Sequence, residues 1–120
     1  MQLDAVLNHR PGAPQTERHI IALPAGMCPY SGNPAPGSRL VLSYEPDGLL
    51  LDVTTILGYL ACLPGYVDGE LVRDMELVAQ RLTDDAARAV GVSVRCRATI
   101  RLMDGPALTL RYTKDGRCSL

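Results

Sequence analysis

The chain has 120 residues, with 12 basic and 13 acidic side chains and a formal net charge of -1 at pH 7. This length suits one domain with one hydrophobic core, and apolar and charged fractions of 47% and 21% are those of an ordinary globular protein. A net charge near zero excludes the strongly basic composition typical of proteins that bind nucleic acid through many phosphate contacts. A local basic patch is compatible with it.

No apolar run approaches the roughly 20 residues that span a bilayer, and the amino terminus lacks a basic segment followed by an apolar one. We therefore expect a cytoplasmic protein with no membrane partner. The cysteines are far apart and include no Cys-x-x-Cys pair, so the usual zinc and thioredoxin-like spacings are absent and we expect no metal site. In a reducing compartment they are thiols. They are Cys28, Cys62, Cys96 and Cys118.

The first half of the chain predicts strands joined by loops. Residues 1–17 contain prolines and a glycine without a clear period, so we expect an N-terminal arm with at most one short strand. The partly β-branched run at 18–23 ends before a proline and predicts a strand that enters the loop at 26–37. Alternating apolar residues at 38–45, the turn sequence EPDG and the apolar run at 49–53 predict a β-hairpin.

Two helices are predicted in the middle of the chain. Thr54 or Thr55 can cap the first, which ends at Leu63 before a Pro-Gly pair. Asp68 can cap the second, over the sequence GELVRDMELVAQRL at 69–82, where apolar residues recur at helical spacing.

The last part of the chain has the clearest pattern. Strict alternation of apolar and polar residues over 92–102 predicts a long half-buried strand, and Asp104-Gly105 predicts a turn into a return strand over 108–112. The fold class is therefore α+β: an antiparallel four-stranded sheet in the order ββααββ, with both helices on one face. Four arginines are expected on the other face: Arg95, Arg97, Arg101 and Arg111. The edge strands of an open sheet expose unpaired backbone groups, which a second subunit can cover, so we predict a homo-oligomer.

Cys28 is the cysteine best placed for chemistry. It lies in a loop rich in proline and glycine, and loops held by a rigid scaffold often carry functional residues. Cys62 lies in the apolar first helix and Cys96 on the inward face of the long strand, where cysteine usually acts as a small hydrophobe. Cys118 is close to the carboxyl terminus. His19 is the histidine better placed to partner Cys28, although its position within a strand favours a surface role over a catalytic one.

Glu70 is the second candidate site residue. It falls in the first turn of the predicted second helix, where the helix dipole favours a carboxylate without any function. The functional alternative is a carboxylate that accepts two N–H groups from a heterocycle with a guanine-like edge.

The motif CPYSGNP at 28–34, followed by a hairpin, two helices with a glutamate opening the second, and a closing hairpin, resembles QueF. QueF is the 7-cyano-7-deazaguanine reductase family, and shorter QueF-like amidinotransferases are related to it. The resemblance covers about 18–113. It implies a tunnelling fold, or T-fold, in which subunits pair their sheets into a barrel with active sites between subunits. The domain assignment is then an arm at 1–17 and a single T-fold domain at 18–120.

The resemblance also implies the chemistry of the site. Cys28 matches the nucleophile that attacks the nitrile of 7-cyano-7-deazaguanine to form a thioimide, and Glu70 matches the glutamate that anchors the deazapurine. The family places an aspartate seven residues after the cysteine to protonate the nitrile nitrogen, but here that position is Ala35. The family's glutamate and two lysines that help hold NADPH are also missing, since the corresponding segment offers Asp52, Thr54 and Leu57.

The resemblance therefore favours an enzyme that needs no cofactor, an amidinotransferase that forms an archaeosine-like product. One alternative is an NADPH-dependent reductase of the queuosine pathway. A second is a non-catalytic T-fold module that binds a deazapurine. The expected partner is 7-cyano-7-deazaguanine, either free or carried by a nucleic acid, and no residues are assigned to a cofactor.

Overall fold

A computed structural model describes residues 3–28, 31–62, 65–67, 70–72 and 75–116, with the backbone alone at 65–67 and 70–72. These residues form an α+β fold with antiparallel strands. The strands are β1 (Ala5–Leu7), β2 (Glu17–Ala22), β3 (Arg39–Tyr44), β4 (Leu49–Leu51), β5 (Gly65–Val67), β6 (Glu70–Val72), β7 (Val94–Arg101) and β8 (Ala107–Lys114), and the helices are α1 (Thr54–Cys62) and α2 (Met75–Val90).

The main sheet has four antiparallel strands in the order β2-β3-β7-β8. Successive side chains of a strand point to opposite faces, and β7 follows this rule as predicted. Its alternate residues from Val94 to Ile100 are buried, whereas Arg95, Arg97 and Arg101 are exposed. The closing β7–β8 hairpin is likewise confirmed, with Arg97 opposite Arg111.

Helix α2 covers the buried face of this sheet and packs against β7 and β8. Its apolar stripe, which includes the fully buried Leu82, supplies one wall of the core. Helix α1 is joined to α2 by a hydrogen bond of 2.6 Å from the Tyr59 hydroxyl to Asp85 Oδ2. Burial, together with the Asp85 carboxylate, raises the pKa of Tyr59 well above its usual value. In the described part of the chain no helix is long and apolar enough to span a bilayer.

The predicted hairpin between 38–45 and 49–53 is wrong. Strand β4 pairs with β1 of the N-terminal segment, with Ala5 opposite Leu51, whereas β3 lies between β2 and β7. Both edges of β3 are thus occupied, so β4 leaves the sheet. It stays attached because the Leu51 amide donates a hydrogen bond of 2.8 Å to the buried hydroxyl of Tyr44. The four-stranded sheet is confirmed, with β2 in the position expected for the strand at 49–53.

The start of the second helix is also different from the prediction. Helix α2 begins at Met75 and continues to Val90, and an antiparallel pair of short strands, β5 and β6, precedes it. Val67 lies opposite Glu70 in this pair, so only Asp68 and Gly69 separate the strands in sequence. Asp-Gly between β-forming residues is a strong hairpin signal, and here it prevails over the helical spacing of the apolar residues around it.

Helix α1 lies where the sequence predicts a helix, but the residue that caps it differs from the prediction. The Asp52 carboxylate, rather than a threonine side chain, caps the first turn of α1. Its Oδ1 accepts hydrogen bonds from the Thr54 amide at 3.0 Å and from the Thr54 hydroxyl at 2.7 Å. The Thr55 hydroxyl instead donates to the Asp52 carbonyl at 2.7 Å. An aspartate at this end satisfies amide groups that have no partner within the helix.

Candidate functional site

Cys28 lies in the loop that follows β2, and its residue is only 2% exposed. Its side chain belongs to the hydrophobic core, together with the neighbouring Met27. No disulfide includes it among the described residues. A ligand therefore reaches the thiol only if part of the loop moves away from the core or if the loop is rearranged when subunits associate.

The Cys28 loop is closed by its own backbone. The Cys28 amide donates to the Asn33 carbonyl at 2.8 Å, and the Gly32 amide donates to the Cys28 carbonyl at 2.9 Å. A third hydrogen bond of 3.0 Å joins the Gly26 amide to the Pro34 carbonyl. Gly26 and Gly32 have φ values of 73° and 74°, a left-handed conformation that glycine adopts at little cost. Gly26, before the motif, and Gly32, within it, therefore shape the loop that holds the cysteine.

Side-chain and backbone hydrogen bonds tie this loop to the β7–β8 turn. The Ala35 amide donates to the Arg101 carbonyl at 2.7 Å, and the Met103 amide donates to Asn33 Oδ1 at 2.8 Å. The buried Ser38 hydroxyl donates to the Ala35 carbonyl at 2.9 Å and accepts from the Arg101 amide at 2.8 Å. The long strand thus fixes the far end of the Cys28 loop.

Replacing Ser38 with alanine is expected to lower the free energy of unfolding by about 1–3 kcal/mol, because the Arg101 amide loses a buried acceptor. Urea unfolding of the variant and the parent protein measures this difference. Ser43→Ala is the matched control, since Ser43 lies half-buried on the opposite face and forms no such bridge among the described residues. Equal unfolding midpoints for Ser38→Ala and the parent protein would contradict a structural role for the bridge.

Glu70 does not open a helix, which corrects the sequence-based assignment. Its backbone belongs to β6, and its side chain lies outside the described residues. The acidic residue in the first turn of α2 is Glu76, and its side chain is exposed. Glu76 therefore has the position for which Glu70 was selected. The Asp68-Gly69 pair is the sequence signal that could have identified Glu76 as the first-turn residue, because a hairpin at this pair moves the start of the helix beyond Glu70.

His19 is engaged in a polar cluster on the core side of β2. Its ring stacks on Tyr44, with ring centroids 5.7 Å apart, and its Nε2 lies 3.4 Å from the Tyr44 hydroxyl. Nε2 also lies 3.7 Å from Glu17 Oε1. Burial raises the pKa of Tyr44, and the Glu17 carboxylate adds to this effect. These contacts give His19 a structural role beside Tyr44.

The other cysteines divide between the surface and the core. Cys62 is exposed at the end of α1, so its prediction as a core residue is wrong. Cys96 is buried as predicted, and burial raises the pKa of its thiol. Cys118 lies outside the described residues. The residues that the structure describes include no group of three or more histidine, cysteine or acidic residues placed to hold a metal ion.

Comparison with models of known protein families and with curated protein sequences gives no match to this chain. The features of this chain that bear on its function are therefore the Cys28 loop, the first turn of α2 and the arrangement of the main sheet.

Proposed function

We propose that the chain is a T-fold enzyme of the QueF-like kind that acts on the nitrile of 7-cyano-7-deazaguanine through Cys28. The observation that carries the proposal is the position of the CPYSGNP motif at 28–34. It is separated by five residues from β2, the edge strand of an antiparallel sheet, and Ala35, the residue that follows it, is hydrogen-bonded to Arg101 of β7. A loop held in this way by a rigid sheet is a suitable place for a nucleophile.

The order of the elements supports the T-fold part of the proposal. Among the strands of the main sheet, β2 and β3 come before the two helices and β7 and β8 follow them, although β4 precedes α1 and the β5–β6 pair lies between the helices. Strands β2 and β8 are the two edges of the main sheet and expose unpaired backbone groups to a second subunit. Pairing of β8 in one copy with β2 in the next would extend the sheet toward a closed barrel, in which a neighbouring subunit could remodel the loop over Cys28.

The first step of the proposed reaction is an addition. The Cys28 sulfur forms a bond to the nitrile carbon, and a proton is added to the nitrile nitrogen, so the product is a covalent thioimide. In the amidinotransferase reaction ammonia then adds to the same carbon and the thiol leaves, which yields an amidine without any redox cofactor. In the reductase alternative, hydride from NADPH adds to the thioimide carbon, the thiol leaves to give an imine, and hydride from a second NADPH reduces the imine to an amine.

Glu76 is the residue that we assign to the deazapurine in place of Glu70. Its carboxylate stands exposed in the first turn of α2, with acceptor oxygens for neighbouring N–H groups of a guanine-like edge. A carboxylate in the first turn of the second helix is the feature expected to anchor the base. The residue is Glu76 rather than Glu70 because α2 begins at Met75.

Two observations favour a binding module without turnover as the second candidate. Cys28 is only 2% exposed in the single chain. Position 35, where the family has its proton-donating aspartate, is an alanine whose amide is hydrogen-bonded to the Arg101 carbonyl. Such a protein would bind the deazapurine through Glu76 and leave the nitrile unchanged.

Intact mass spectrometry separates the two candidates. The purified protein, mixed with saturating 7-cyano-7-deazaguanine, should gain the mass of one ligand per chain and a near-ultraviolet thioimide absorbance. Binding detected by calorimetry without a mass increase would support the binding module, and the absence of both would contradict both candidates. Ammonia or NADPH, added to the adduct, then identifies the second step from the product mass. An RNA oligonucleotide that carries the same base tests the nucleic-acid-borne substrate.

A further inference from the structure

The open face of the main sheet carries a dense group of arginines, which we call the arginine face. Strand pairing adds two residues to the four predicted on β7 and β8. Arg18 of β2 is opposite Ser43, which in turn is opposite Arg95, and Arg39 of β3 is opposite Thr99. All of these arginines are exposed. The arginine face comprises Arg18, Arg39, Arg95, Arg97, Arg101 and Arg111.

This face concentrates positive charge that the composition conceals. It carries six of the chain's 12 basic residues although the net charge is -1. On the four strands of the main sheet, no residue that shares this face is acidic. Two carboxylates, Glu45 and Asp115, follow the ends of β3 and β8 and border a separate depression with Arg95. The arginine face is therefore a local cationic surface on a nearly neutral protein.

The close placement of arginines on this face destabilises the protein when no ligand is bound. Arg97 and Arg111 are directly opposite each other on β7 and β8, and like charges in that position destabilise a sheet. In the part of the chain that the structure describes, neither residue forms an ion pair that would compensate the repulsion. An anion bound between them would remove the repulsion.

A groove of about 410 Å³ lies on this face. Four guanidinium-bearing side chains line it, together with the hydroxyl-bearing Ser43 and Thr113. Its volume falls in the range of small-molecule sites, roughly 300–1,000 Å³. Guanidinium groups bind phosphate oxygens through paired hydrogen bonds, and hydroxyl groups can donate further ones. The lining arginines are Arg18, Arg95, Arg97 and Arg111.

We propose that this groove binds a small ligand bearing a chain of two or three phosphates, such as the triphosphate of a nucleotide. A second copy stacked face to face is disfavoured because it would bring two arginine faces together. Single-stranded nucleic acid is disfavoured as the ligand, because proteins that bind it commonly stack its bases on aromatic rings. None of the residues that share this face on the four strands is aromatic. The proposal does not depend on Cys28 or on nitrile chemistry.

Calorimetric titration of the full chain with inorganic triphosphate at low salt tests the site. The double variant Arg97→Gln/Arg111→Gln should weaken binding about tenfold or more, because it removes two charge-assisted contacts. Its thermal midpoint without ligand should equal or exceed that of the parent protein, since the cross-strand repulsion is gone. The matched control is Arg10→Gln/Arg88→Gln, which changes the net charge equally at two exposed residues outside the arginine face.

Parallel titrations with adenosine triphosphate and with a single-stranded RNA identify the source of the phosphates. Adenosine triphosphate that binds more tightly than inorganic triphosphate, and competes with it, supports a nucleotide as the ligand. Equal affinities support recognition of the phosphate chain alone. The proposal is overturned if triphosphate does not bind, if both double variants weaken it equally, or if RNA binds and triphosphate does not displace it.

Discussion

Replacing Cys28 with alanine is expected to abolish the mass increase and the near-ultraviolet absorbance that 7-cyano-7-deazaguanine produces. The thioimide contains the Cys28 sulfur bonded to the nitrile carbon, and alanine has no sulfur to form this bond. The loss should be complete, because without the sulfur no covalent bond to the nitrile carbon forms. Intact mass spectrometry after incubation with saturating ligand measures the adduct directly.

The structure provides a matched control for this experiment. Cys62 is exposed whereas Cys28 is buried, so nonspecific alkylation would be expected to occur first at Cys62. Cys62→Ala should therefore retain the full adduct. An adduct that persists in Cys28→Ala and disappears in Cys62→Ala would reject Cys28 as the nucleophile. The Cys28 variant should remain folded, because the loss of one buried sulfur costs about 1 kcal/mol, and circular dichroism verifies this.

Replacing Glu76 with glutamine is expected to raise the dissociation constant for 7-cyano-7-deazaguanine about tenfold to a hundredfold. Hydrogen bonds to a charged acceptor contribute about 1.5–3 kcal/mol each, and glutamine has one acceptor oxygen in place of two and no charge. The measurement is calorimetric titration in the Cys28→Ala background, where binding is reversible. Glu76 is exposed, and circular dichroism of the variant verifies that it is folded.

Glu70→Gln is the comparison that separates the two glutamates. Both variants remove one negative charge, and Glu70 lies in the hairpin strand β6 rather than in α2. If the start of the helix is what positions the carboxylate, Glu70→Gln should leave the dissociation constant within about twofold of the parent value, a difference of less than 0.5 kcal/mol. A larger loss in Glu70→Gln than in Glu76→Gln would reverse our assignment.

Patterns that depend on near neighbours in sequence predicted the β7–β8 hairpin correctly. The alternation in β7 and the Asp104-Gly105 turn into β8 depend on strand geometry and turn conformation, which are local properties. The 69–82 segment failed because two local signals competed there. Apolar residues at helical spacing run through it, but Asp68-Gly69 introduces a pair of strands, and α2 starts only at Met75.

Local sequence patterns could not predict which strands pair with each other. The turn sequence before β4 favours a hairpin with β3, yet β3 is bordered by β2 and β7. Which strands pair depends on the burial that the whole sheet achieves, and contacts far apart in sequence decide it. The same limit applies to Arg18, whose position on the arginine face follows only from its pairing through Ser43 with Arg95.

The sequence by itself determined the candidate chemistry: a cysteine in a loop shaped by glycine and proline, and arginines spaced to share one face of a strand. These features depend on residue type and short spacing, and both can be read directly from the chain. Only the tertiary structure decided that Cys28 is buried, that Glu76 lies in the first turn of α2, and that arginines from three strands, β2, β7 and β8, line one groove. Burial and convergence arise from packing between distant segments, which sequence spacing does not specify.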